Sequence, residues 1–188
     1  MTVAAGIALG LWLLAAAVSG WVWLPPGRSR AVTVRESRTA RVVVLVTLIT
    51  LIAACAVLAS TADSLSGPWR WVAGAICATI AVLGGGALAT SILALANGDA
   101  AATARVRRDV LRGGAWIGAL ERLTLLGTLA SGWPEGLAVI VAVKGLARYP
   151  ELRSATVAGT GANERFIIGT FASLGWASAC AWVLARLL

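Results

Sequence analysis

The sequence predicts an all-α integral membrane protein: a single six-helix transmembrane bundle with both termini outside. Three observations lead there. Of 188 residues, 59% are hydrophobic and only 13% charged, and the mean hydropathy is +0.86. Apolar runs at that density are membrane spans rather than a soluble core. The runs separate into six segments, and the basic residues gather in alternate loops.

The first span covers Val3–Leu24. No positive stretch precedes it and an arginine cluster follows it, as in a retained first span that starts outside rather than a cleaved signal peptide. The second covers Val42–Ser60 and the third Trp71–Ala96. The fourth covers Ala115–Ala130, the fifth Pro134–Arg148 and the sixth Arg165–Leu187. Arg28, Arg30, Arg35, Arg38 and Arg41 fill the first loop. Arg105, Arg107, Arg108 and Arg112 fill the third, and Arg148, Arg153 and Arg165 the fifth. The second loop holds Arg70 alone and the fourth has no Lys or Arg. The positive-inside rule makes the odd loops cytoplasmic.

Trp21, Trp23, Trp69, Trp71, Trp116 and Trp133 lie near predicted span ends, where indole rings anchor to the interface. Ala101–Arg112 reads as a short basic surface helix beside the membrane, suited to anionic headgroups. The fifth span is short, reaching roughly 22 Å against a hydrocarbon core of roughly 30 Å. It either starts on an unwound Ser131–Gly132–Trp133 corner or is partly re-entrant. Pro134 suits its first position and Pro150 its end. Small residues mark close helix approach at Gly6 with Gly10, at Gly84–Gly86 and at Gly169 with Ser173. The triple glycine also allows a kink or broken helix lining a site.

The 188 residues form one domain with two subregions. Residues 1–112 carry three spans and the basic loops; residues 113–188 carry three spans and a cluster of intramembrane charge. Six residues make up that cluster near the cytoplasmic face: Glu121, Arg122, Lys144, Arg148, Glu164 and Arg165. A charge at mid-span costs roughly 2.5–3.5 kcal/mol even on lenient scales, so it must pair, line a cavity or bind something. In a tight hairpin turning at Gly132–Trp133, Glu121 lies as far before the turn as Lys144 lies after it. The two are level and can pair. Arg148 with Glu164 is a second candidate pair, which leaves Arg122 and Arg165 without carboxylates. Arg165 lies at the boundary and can snorkel, whereas Arg122 is deeper. Four cations against two carboxylates favour an anion, and the planar guanidinium fork suits phosphate or carboxylate oxygens.

The absence of histidine excludes His-based acid–base chemistry and His-ligated metal. Cys55, Cys77 and Cys180 lack ligand spacing and read as buried small hydrophobes. The hydroxyls of Thr124, Thr128, Thr170 and Ser173 are expected to bond to helix carbonyls. No nucleophile, cofactor motif or catalytic residue stands out. Glu121 and Glu164 open similar stretches, ERLTLLGT and ERFIIGT, but their Glu-to-Gly spacing differs by one residue and the helical phases do not match.

Ile117, Gly118, Leu120, Glu121 and Arg122, then Lys144 and Arg148, then Glu164, Gly169, Thr170 and Ser173 follow an IGxLER…K…R…E…GTxxS pattern. Over roughly residues 113–178 the chain thereby resembles an uncharacterised bacterial multi-spanning membrane-protein family. The resemblance implies a bundled helical module with those charges as its signature, and it supplies no activity.

Three functions compete. One is binding or transport of an anionic small molecule or lipid headgroup at the charge cluster. Another is a non-catalytic scaffold or subunit whose charges are structural ion pairs. The third is an intramembrane enzyme using Glu121 as acid or base, for which the least speaks. Fifteen arginines to one lysine, amid abundant Ala, Gly and Val, suggest a high-GC bacterium and hence its cytoplasmic (inner) membrane. The partners expected are the lipid bilayer, anionic phospholipid headgroups, an anionic substrate, and a second copy or another membrane protein. Nucleic acid is not expected.

Overall fold

The computed structural model describes residues 3–23, 38–61, 64–96, 103–157 and 162–188. Among these residues the regular structure is six α-helices and no strand. They are α1 (Val3–Trp23), α2 (Arg38–Thr61), α3 (Trp69–Ala96), α4 (Thr103–Ala130), α5 (Gly136–Val157) and α6 (Ala162–Leu187). Three stretches are long and apolar enough to cross a membrane: Arg38–Thr61, Trp69–Ala96 and Asn163–Leu187. A shorter apolar stretch, Gly6–Gly20, lies in α1. Helices α4 and α5, at 28 and 22 residues, are roughly 42 and 33 Å long, but the charges along them lower their hydropathy.

At the centre, α3 and α6 pack extensively against each other. Their contacts run in opposite directions along the two chains. Cys77 Sγ donates to the Cys180 carbonyl at 3.3 Å and Trp176 Nε1–H donates to the Ile80 carbonyl at 3.0 Å. Further along, Gly169 lies against Leu93. The two helices are therefore antiparallel. Each has the stripe this requires: Ala73, Cys77, Ile80, Gly84 and Leu88 on α3; Ser173, Trp176, Cys180, Val183 and Leu187 on α6. Such spacing keeps side chains on one helical face.

On one flank, α1 and α2 pair, and both reach α3. On the other flank, α4 lies against α3 and α6, and α5 packs on α4 and α6 at the edge of the bundle. The α2–α3 connection folds over the end of α6, where Leu65 N–H donates to the Leu187 carbonyl at 2.7 Å. Cys55, Cys77 and Cys180 are free and buried. They act as small core residues, and Cys55 Sγ also lies 3.7 Å from the Ala8 carbonyl of α1.

Several element boundaries differ from the sequence reading. The basic stretch is not a separate surface helix, because from Thr103 onward it continues into α4. Nor is the fifth helix short: it starts at Gly136, after Pro134 and Glu135 in the turn, and runs through Pro150 to Val157. Proline there removes one donor, leaving the Leu146 carbonyl without its intrahelical partner, but it does not end the helix. The triple glycine does not break α3, which is continuous across it. Gly10 has open space beside it and is exposed. The packing face of α1 is instead Ala8, Trp12, Ala15 and Ser19. Arg28, Arg30 and Arg35 lie outside the described residues.

Candidate functional site

The turn between α4 and α5 fixes the first part of the site. Gly132 adopts φ +77°, a left-handed conformation that glycine enters without steric cost. Its N–H donates to the Leu129 carbonyl, and Trp133 N–H to the Thr128 carbonyl at 2.9 Å. This pair of bonds is a Schellman motif closing α4. Gly136 then passes so close to Thr128 that a Cβ would lie 2.6 Å from the Thr128 methyl group. The turn and the close approach set the hairpin register.

In that register Lys144 Nζ donates to Glu121 Oε2, forming an ion pair that is mostly shielded from solvent. Pairing by equal distance from the turn was readable from the sequence, and the structure has it. Glu121 uses the face of α4 toward α5. Arg122, the next residue, is turned about 100° further round the helix and points into the α3–α6 core.

Arg122 is 5% exposed. Its Nη1–H donates to Ser173 Oγ of α6 at 2.9 Å, while its Nε–H, also buried, has no hydrogen-bond partner. Two glycines make room for the side chain. A Cβ on Gly85 of α3 would lie 2.4 Å from Arg122 Cδ and 3.1 Å from Trp176 Cδ1; one on Gly118 of α4 would lie 3.2 Å from Arg122 Nη1. Gly84 admits the Trp176 indole in the same way, with a Cβ there meeting Cζ2 at 2.9 Å. The triple glycine is thus a notch in α3 that receives Arg122 and Trp176.

Two hydroxyls on α6 depart from the sequence reading, which gave both to helix carbonyls. Ser173 does not act as an ordinary helix-bonded serine, because its Oγ accepts from Arg122. Thr170 is 8% exposed and its Oγ1 has no partner. Thr128 behaves as expected, donating to the Leu125 carbonyl. The signal for the two hydroxyls lay in their spacing: three residues apart on a helix is one face.

The six sequence-predicted residues therefore divide into groups. Glu121 and Lys144 pair across the hairpin, and Arg122 is buried among α3, α4 and α6. Arg148, Glu164 and Arg165 are exposed on α5 and α6, outside the buried pocket; Arg148 and Arg165 are each engaged in interactions there. The contacts to Gly85 and Ser173 also set the position of Arg122 along the helices. Gly85 lies roughly 17 Å from the Ala96 end of α3, and Ser173 roughly 17 Å from the Ala162 end of α6. The pocket is close to the middle of both helices. Chemically, it offers one guanidinium with a spare donor beside a helix face bearing two buried hydroxyls. Glu121 is already committed to Lys144. Among the described residues, no group of His, Cys, Asp or Glu could hold a metal ion.

No family model matches the chain, and neither does any curated protein or solved structure.

Proposed function

We propose that this chain is a multi-pass protein of a bacterial cytoplasmic membrane that binds an anion inside its helix bundle, at Arg122. All six helices would cross, with both termini outside. The alternation of basic loops supports that topology, as does the antiparallel packing of α3 with α6 and of α4 with α5. Neutralisation of Glu121 by Lys144 lowers the cost of placing α4 and α5 in lipid.

A single observation carries the anion reading. Arg122 is a buried cation whose hydrogen-bond partner is a neutral hydroxyl, while the adjacent carboxylate in the chain, Glu121, is held by Lys144. A buried charge left without a counter-charge costs several kcal/mol. A bound anion, whether a small molecule or a lipid headgroup, removes that cost.

A second reading has its own observation. The fit of Arg122 into the Gly85 and Gly118 notches also suits a side chain that sets helix register in a non-catalytic scaffold. Native mass spectrometry of the detergent-released protein separates the two. Anion binding predicts a retained small anion or anionic lipid on the wild type that is lost in Arg122→Met. A scaffold predicts the same bare mass for both proteins.

A further inference from the structure

Among the described residues, Arg122 Nε–H and Thr170 Oγ1 are buried without a hydrogen-bond partner, and Ser173, whose Oγ accepts from Arg122, has its hydroxyl hydrogen left to donate. Thr170 and Ser173 are one turn apart on the face of α6 turned toward α3 and α4, and they are 8% and 4% exposed. A buried hydroxyl without a partner is costly, and so is a buried guanidinium N–H without one. All three can donate, and an anion is what satisfies buried donors beside a positive charge. The triad Glu121, Arg122 and Lys144 carries one net positive charge, so a singly charged ligand balances it. Its depth argues against a headgroup. Roughly 17 Å from the helix ends, the pocket lies well inside a hydrocarbon core of roughly 30 Å, where phosphodiesters do not reside. Arg122 is packed against Gly85 and Gly118, and Trp176 against Gly84 and Gly85, so only a small ligand suits the site.

We infer, building on the anion reading above, that Thr170 and Ser173 are ligand-binding residues that join Arg122 in holding one small, singly charged, water-soluble anion. Halide, nitrate and dihydrogen phosphate are the class; a phospholipid headgroup is not. The test is thermal unfolding of the detergent-purified full chain, titrated with sodium chloride, sodium nitrate or sodium dihydrogen phosphate against sodium gluconate at constant ionic strength. Wild type, Thr170→Val and Arg122→Lys are compared, with native mass spectra of each recorded alongside. Thr170→Val keeps the side-chain shape and removes the hydroxyl, so its anion-free unfolding temperature should stay at or above that of wild type.

The expected result is saturable stabilisation of the wild type by at least one of the three anions, weakened about tenfold or more in Thr170→Val, the loss that follows from one hydrogen bond to a charged ligand. Equal anion affinity in Thr170→Val and wild type overturns this inference while leaving Arg122 as an anion site. So does a retained phospholipid with no response to the salts. No bound anion of either kind, with Arg122→Lys responding to salt as wild type does, overturns both the inference and the reading beneath it.

Discussion

At the residue scale, adjacent positions on one helix do opposite things. Glu121 meets a cation across a hairpin, and Arg122 enters a core that offers it hydroxyls and glycines. The sequence could show that the two cannot share a partner, because neighbouring helix positions diverge by about 100°. It could not show which face was the interior. The ERLTLLGT and ERFIIGT stretches illustrate this. Arg122 is buried and Arg165 is exposed, although both follow a glutamate near the start of a similar pattern. Glycine roles were equally hidden. Gly10 and Gly74 have open space beside them, whereas Gly85 is filled by the Arg122 stem. This contrast gives a prediction. Gly74→Ala and Gly85→Ala change the same helix by the same atom. The first should leave stability unchanged or raise it by up to about 1 kcal/mol, the helix-propensity gain. The second should cost about 1–3 kcal/mol through overpacking. Chemical-denaturant unfolding of the two variants side by side in one detergent measures the difference.

At the element scale, the helices follow from apolar runs and the turns from glycine. The core stripes of α2, α3 and α6 repeat every three or four residues, so spans two, three and six were legible to within a few residues. The ends of α4 and α5 were not. The basic stretch was read as a separate surface helix and Pro150 as a helix end, but α4 is continuous from Thr103 and α5 runs on past Pro150, because neither charge nor one proline outweighs propagation of an established helix. The hairpin register was legible because a tight turn fixes which residues are level, and Glu121–Lys144 is the result. Helix α5, at the edge of the bundle, depends on this pair. Its loss should fall between the roughly 1 kcal/mol of an exposed pair and the roughly 3–5 kcal/mol of removing one partner from a fully buried one. Glu121→Lys and Lys144→Glu should each destabilise the protein, and the double exchange should recover most of the loss. A double-mutant cycle on unfolding free energies measures that coupling; additive losses would mean that the pair does not hold α5 in place.

At the scale of the whole molecule, the bundle puts its most polar packing at the crossing of α3, α4 and α6 rather than at an end. Apolar side chains dominate the outer surface, with Trp71, Trp116, Leu146 and Phe171 among the most exposed. Such a surface suits lipid contact, and the all-helical, apolar character of the chain was legible in its long apolar runs. The partners of Arg122 were not, because a position counted along one helix cannot show a site built by three. Once α3 and α6 are packed antiparallel, the Gly85 notch and Ser173 come together from positions far apart in the chain, which no local pattern encodes. The centre of the functional proposal is a buried guanidinium that takes its counter-charge from an anion. Anomalous diffraction from crystals grown in sodium bromide tests it most directly. A bromide peak beside Arg122, within hydrogen-bonding reach of Thr170 or Ser173, is the predicted result. Bromide on the protein surface with none at Arg122, whose side chain remains packed against Gly85, would contradict it.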